Sequence, residues 1–150
     1  MHAEVTSSPE GPVFFWNVDA PVGRSGVNRW DDVLFVSWCI YKFARLPQMP
    51  ADLRQVLDKA GLSEHCTGKD DDPLVGAITA IQEHFHRRPV DGRVSPAKGL
   101  TYTHHHDQQA YLIFRLNAVL RVAHPDKYPR IDQMPDFAWQ LKKVVTPAFI

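Results

Sequence analysis

The chain has 150 residues, 17 basic and 17 acidic side chains, 44% apolar content, and 12 prolines against 8 glycines. That length fits one domain around one core, spanning residues 1–150. A formal charge of zero removes the general attraction on which nucleic-acid and anionic-membrane binding rest, so neither partner is expected. Cys39 and Cys66 are too few for a disulfide framework and lack the C-x-x-C spacing of zinc ribbons and redox motifs. The polar start from Met1 to Gly11 carries no export signal, which points to synthesis in the cytoplasm and to export, where it happens, together with a partner. The apolar stretch from Val33 to Leu46 is interrupted by Ser37, Lys42 and Arg45 and falls short of the roughly 20 residues that cross a bilayer.

In chain order, the first twelve residues read as a loose tail, and Pro12 to Val18 as a strand or extended arm rich in aromatic and β-branched residues. Pro21, Gly23 and Gly26 punctuate a turn. Asn28 is placed to cap a helix that starts near Arg29, with Asp31 and Asp32 in its first turn and Lys42 and Arg45 in its last. Val33, Val36, Ile40 and Phe43 form one apolar stripe on that helix, while Leu34, Phe35, Trp38 and Tyr41 make the other side apolar too. This helix must be covered on more than one face: by the Phe14 to Val18 arm as well as by helices three and four, or, in place of the arm, by a partner chain, a second copy included.

A short second helix covers Ala51 to Ala60. Asp70, Asp71 and Asp72 before Pro73 announce a third, from about Pro73 to Arg88. Residues from Pro89 to Lys98 form a polar, turn-rich loop. A fourth helix is predicted from about His105 to Ala123, and Phe137, Leu141, Val144 and Val145 point to a last short one before Pro147. The expected fold is all-α: an orthogonal bundle of four or five helices with a short N-terminal extended arm.

Eight histidines invite a metal reading, but His84 and His86 point to opposite sides of a helix and no H-E-x-x-H clamp exists. His104, His105 and His106 lie consecutively, and His65 adjoins Cys66, without ligand spacing. Cys39 falls in the most apolar helix, no G-x-S-x-G elbow is present, and helix capping accounts for Asp72. The reading assigns no metal, no cofactor and no catalysis. Two groups of residues remain as binding candidates. Asp91-Gly92-Arg93 is a tight turn presenting Arg93 beside a helix end, and Asp91 and Arg93 are the ligand-binding candidates. Phe14 and Trp16 on one face of the arm, with Trp38 on helix one, are the candidates for partner contact.

The run Val22-Gly23-Arg24-Ser25-Gly26-Val27-Asn28-Arg29-Trp30-Asp31-Asp32-Val33 resembles the V-G-x-G-G-x-N-x-x-x-D-V opening of peptidoglycan-binding-like domains. Pro73-Leu74-Val75-Gly76-Ala77-Ile78-Thr79-Ala80-Ile81-Gln82, followed by Val90-Asp91-Gly92-Arg93-Val94-Ser95-Pro96, is similar to that family's T-x-x-A-I-x-x-F-Q and P-D-G-R-V-D-P-G-G elements. The resemblance covers residues 22–100 and implies a small helical module, with residues 101–150 as a helical extension completing its core. It further implies a non-catalytic bacterial module that holds cell-wall glycan or stem peptide in a shallow groove near Arg93. The alternative is a protein-protein interaction module, an adaptor or chaperone associated with a secretion system or secreted toxin.

Overall fold

Strand pairing begins at the second residue. In the computed structural model, which describes residues 1–8, 10–86, 88–98 and 111–149, β1 (His2–Ser8) runs antiparallel to β2 (Gly11–Asn17), from His2 opposite Asn17 to Ser8 opposite Gly11. Ser8 Oγ donates to the Gly11 carbonyl at 2.7 Å and accepts from Glu10 N–H at 3.2 Å, closing the hairpin. The expected loose tail is therefore a strand, and the extended arm is half of a hairpin. A second small sheet pairs β3 (Val22–Gly23) with β4 (Arg93–Val94), again antiparallel. The all-α expectation is corrected: the described residues form five α-helices and two two-stranded antiparallel sheets, an α/β mixture.

The helices are α1 (Trp30–Ala44), α2 (Ala51–Ala60), α3 (Pro73–His84), α4 (Leu112–Ala123) and a single turn, α5 (Lys142–Val145). Pro73 opens α3 behind Asp72, whose carboxylate accepts from Leu74 N–H at 2.8 Å, the predicted cap. That helix stops at His84, short of Arg88, because Phe85 leaves the helical path and His86 takes a positive φ of 53°. Asn28 does not cap α1. With its own φ at 56°, it turns back, accepts from Gly23 N–H at 2.7 Å and donates to the carbonyls of Gly23 and Gly26, so it builds the preceding turn. The predicted start of helix four at His105 lies outside the described residues, as do His104 and His106.

Every residue from Asp31 to Ile40 is buried, which meets the demand set by an α1 that is apolar all round. The cover matches the expectation in α4 and differs from it for the arm and helix three. α1 packs on α4, α2, β3 and the 3₁₀ turn at Trp139–Leu141, while β2 packs on α4 and α3 mainly on α2. Phe85, just past the end of α3, reaches Phe43 with ring centroids 5.7 Å apart. The C-terminal segment does what the arm was expected to do: Trp38 donates its indole N–H to the Asp136 carbonyl at 2.7 Å and meets the Phe137 ring edge-on at 5.7 Å. One contiguous core joins the hairpin, all five helices and the C-terminal turns.

Candidate functional site

The two sequence segments that carry the family resemblance meet at β3 and β4. Gln82 of α3 clasps the turn between them: its amide donates to Asp91 Oδ1 at 2.9 Å and to the Arg93 carbonyl at 3.1 Å, and its carbonyl accepts from Gly92 N–H at 2.9 Å. Asp91 Oδ1 also accepts from Arg93 N–H at 3.0 Å, and Arg24 N–H donates to the Gly92 carbonyl at 3.0 Å. Gly23 lies so close that a Cβ there would stand 2.2 Å from the Gly92 oxygen, and its φ of 112° belongs to the region that only glycine enters freely. Asp91 thus spends its carboxylate on the turn. Arg93 is half-buried, with its Nε enclosed and lacking a hydrogen-bond partner among the described residues.

The partner-contact candidates are placed differently again. Trp16 and Trp38 are both 0% exposed, and their indole N–H groups are satisfied by the carbonyls of Pro129 and Asp136. Both are core residues, closed to a partner in the folded chain. Phe14 is partly buried and sits 5.4 Å edge-on to Trp16 and 6.1 Å from the stacked Phe149 ring.

Two other tryptophans stand in the open. Trp30, the first residue of α1, is 46% exposed and Trp139 is 74% exposed; together they flank a groove of about 810 Å³. Its lining is predominantly apolar, with Glu64, Gln140, Lys142 and Lys143 supplying polar groups. Three elements converge on it, and α1 fixes each. Trp30 is part of α1 itself. The loop carrying Glu64 is tied to the buried Ser37, whose Oγ accepts from Ser63 N–H at 3.1 Å and donates to the Ser63 carbonyl at 3.2 Å. The C-terminal segment is held through Trp38 and Lys42, the latter donating to the Pro135 carbonyl at 2.7 Å. Leu141 and Val145, both fully buried, anchor the stretch between, so Trp139, Lys142 and Lys143 are left facing outward.

Lys42 is itself nearly buried, and desolvation lowers its ammonium pKa against the pull of Asp136 at 3.8 Å. His124 lies 3.3 Å from that ammonium; burial and then the Lys42 charge push its pKa down.

Among the described residues one trio has cation-ligating spacing: Asp19, Asp31 and Asp32, with carboxylate oxygens within 4.8 Å of one another. The Met1 α-ammonium sits among them at 2.9 Å from Asp19, 2.5 Å from Asp31 and 2.7 Å from Asp32. Burial works to lower the ammonium pKa, but the hydrogen bonds to the three carboxylates outweigh it and raise the net value. Arg29 adds a second positive charge at 3.6 Å from Asp31 and 3.9 Å from Asp32. Asp32 also accepts from the backbone N–H groups of Asp19 and Ala20, both at 3.0 Å, which makes the trio a clasp between the end of the hairpin and the start of α1. From the sequence alone, Asp31 and Asp32 have only a helix-dipole role.

The groove was not foreseen either, though signals for it exist. Trp139 falls two residues from both Phe137 and Leu141, off the row that Phe137, Leu141 and Val145 make at four-residue spacing, and two lysines follow it three and four residues on. An aromatic off the buried row beside cationic residues is a surface aromatic. Trp30 gives no such sign, since it lies three residues before Val33 on the buried stripe, yet it is 46% exposed. No family model, curated protein or solved structure matches this chain.

Proposed function

We propose that this chain is a non-catalytic protein-interaction module that grips a partner in the Trp30–Trp139 groove. The observation that carries the reading is the exposure of two tryptophans at one apolar groove while the other two are fully buried. Tryptophan offers a large rigid surface, and binding energy at protein interfaces concentrates on such residues within an apolar centre and a polar rim. The groove volume of about 810 Å³ suits a few side chains of a partner. Panning a displayed random dodecapeptide library against the intact protein tests this: the reading expects enriched binders that Trp139→Ala and Trp30→Ala abolish. Absence of enrichment over an unrelated neutral protein would remove it.

A second reading, binding of cell-wall glycan or stem peptide, is favoured by one specific observation: residues 22–33 and 73–96, which resemble peptidoglycan-binding-like domains, are joined at the Gly23–Gly92 contact and the Gln82 clasp. Cosedimentation with purified sacculi, weakened by Arg93→Ala, would support it. A chain that stays in the supernatant would exclude it.

A further inference from the structure

Resting on the groove as the docking surface, we infer that its occupant is a protein segment carrying a large apolar side chain next to a carboxylate, which Lys142 and Lys143 read. The charges in the groove are divided by element. The C-terminal segment brings Trp139, Lys142 and Lys143, whereas Trp30 and Glu64 come from the start of α1 and from the loop between α2 and α3. Among the described residues neither Lys143 nor Glu64 takes part in an ion pair. The carboxylate that feels Lys142, Asp132, is already engaged by Arg130 in two bonds of 3.0 and 2.7 Å. Among the described residues neither lysine of this anchored turn is held in an ion pair, so both can meet a ligand's charge.

An apolar side chain entering between the indoles supplies the burial, and a neighbouring acidic group meets the lysines at the rim. Rim charges set which partner is accepted and how quickly it arrives more than they set the affinity. Lysines are flexible point charges without the paired fork of arginine, so a single carboxylate satisfies them without any bidentate geometry. Glu64 supplies the opposite sign, so a basic residue or a backbone N–H of the same segment faces it, and the segment lies in one direction. An uncharged saccharide leaves the charges of the two lysines uncompensated.

The test compares peptides selected by the intact protein with those selected by the Lys142→Glu/Lys143→Glu double variant, both panned from the same dodecapeptide library. The substituted residues are exposed, and thermal melts verify that the double variant stays folded. Wild-type selections are expected to carry an aromatic or large aliphatic residue beside Asp or Glu, and the double variant to enrich Lys or Arg at that place. The strongest wild-type peptide should lose about tenfold or more in affinity for the double variant, a loss that shrinks with added salt. Peptides that depend on Trp139 but show no acidic preference, unchanged by the charge reversal, would overturn this inference and leave the groove as the docking surface. Selections insensitive to Trp30→Ala and Trp139→Ala would overturn both. Pelleting with sacculi that Trp139→Ala abolishes would assign the groove to the cell wall and also overturn both.

Discussion

Asn117 of α4 and Trp16 of β2 hold each other as neighbouring strand residues would: Asn117 Oδ1 accepts from Trp16 N–H at 2.8 Å, and its Nδ2 donates to the Trp16 carbonyl at 2.8 Å. One side chain on a helix thus closes the outer edge of the hairpin, where a third strand is lacking. Tyr128 completes the arrangement, its hydroxyl donating to Asn117 Oδ1 at 2.9 Å. Asn117→Leu would leave the buried N–H and carbonyl of Trp16 unpaired, at a cost of about 1–3 kcal/mol for each orphaned group. The expected loss is about 2–6 kcal/mol in urea denaturation, with an unchanged slope. A loss under about 0.5 kcal/mol would show that water replaces the amide there.

Two glycines make opposite predictions. Gly23→Ala places a Cβ at 2.2 Å from the Gly92 oxygen on a backbone with φ of 112°, and it should destabilise the fold by more than about 2 kcal/mol. Gly76, inside α3, has open space where a Cβ would stand, so Gly76→Ala should stabilise by about 0.5–1 kcal/mol. Thermal melts of the two variants beside the wild type give the comparison. Equal effects would mean that the β3–β4 junction is looser than described.

Stability should fall on mild acidification through His124. Its folded-state pKa lies below the ordinary histidine value of about 6.5, first through burial and then through the Lys42 charge, with Lys127 adding to the lowering and Asp126 and Asp136 opposing it. Above that ordinary value the ring is neutral in both states and the effect vanishes. Below it the unfolded chain binds the proton more readily, so stability drops as pH falls from about 6.5 through the lower folded value. His124→Gln should flatten the melting-temperature profile between about pH 7.5 and pH 5 relative to the wild type. Superimposable profiles would contradict this.

How far the sequence could be read depended on whether the deciding interaction was local. Asp72-Pro73 marks the start of α3 because capping and the fixed proline φ act within one turn. The need to cover α1 on all sides was legible from Leu34, Phe35 and Trp38, but the identity of the cover was not: Asp136 and Phe137 lie about a hundred residues further on. β1 was unreadable because Ala3 and Val5 are its only apolar side chains and its order comes from pairing with β2. The turn at Asp91-Gly92-Arg93 is legible in the sequence, yet only Gln82 in space reveals that the Asp91 carboxylate is consumed in building it. Trp139 is marked by its place off the buried row, but Trp30 is separable from the buried Trp16 and Trp38 only once the fold fixes which faces are wet.

The four tryptophans provide the most direct test of the binding account. Their indole N–H signals in a ¹H–¹⁵N correlation spectrum can be followed while a peptide selected by the intact protein is titrated in. Trp30 and Trp139 should shift in a saturable, one-site manner, while Trp16 and Trp38, held to the Pro129 and Asp136 carbonyls at 3.0 and 2.7 Å, should stay in place. Shifts centred on Trp16 and Trp38, or binding that leaves all four signals unmoved, would contradict the assignment of the groove as the docking surface.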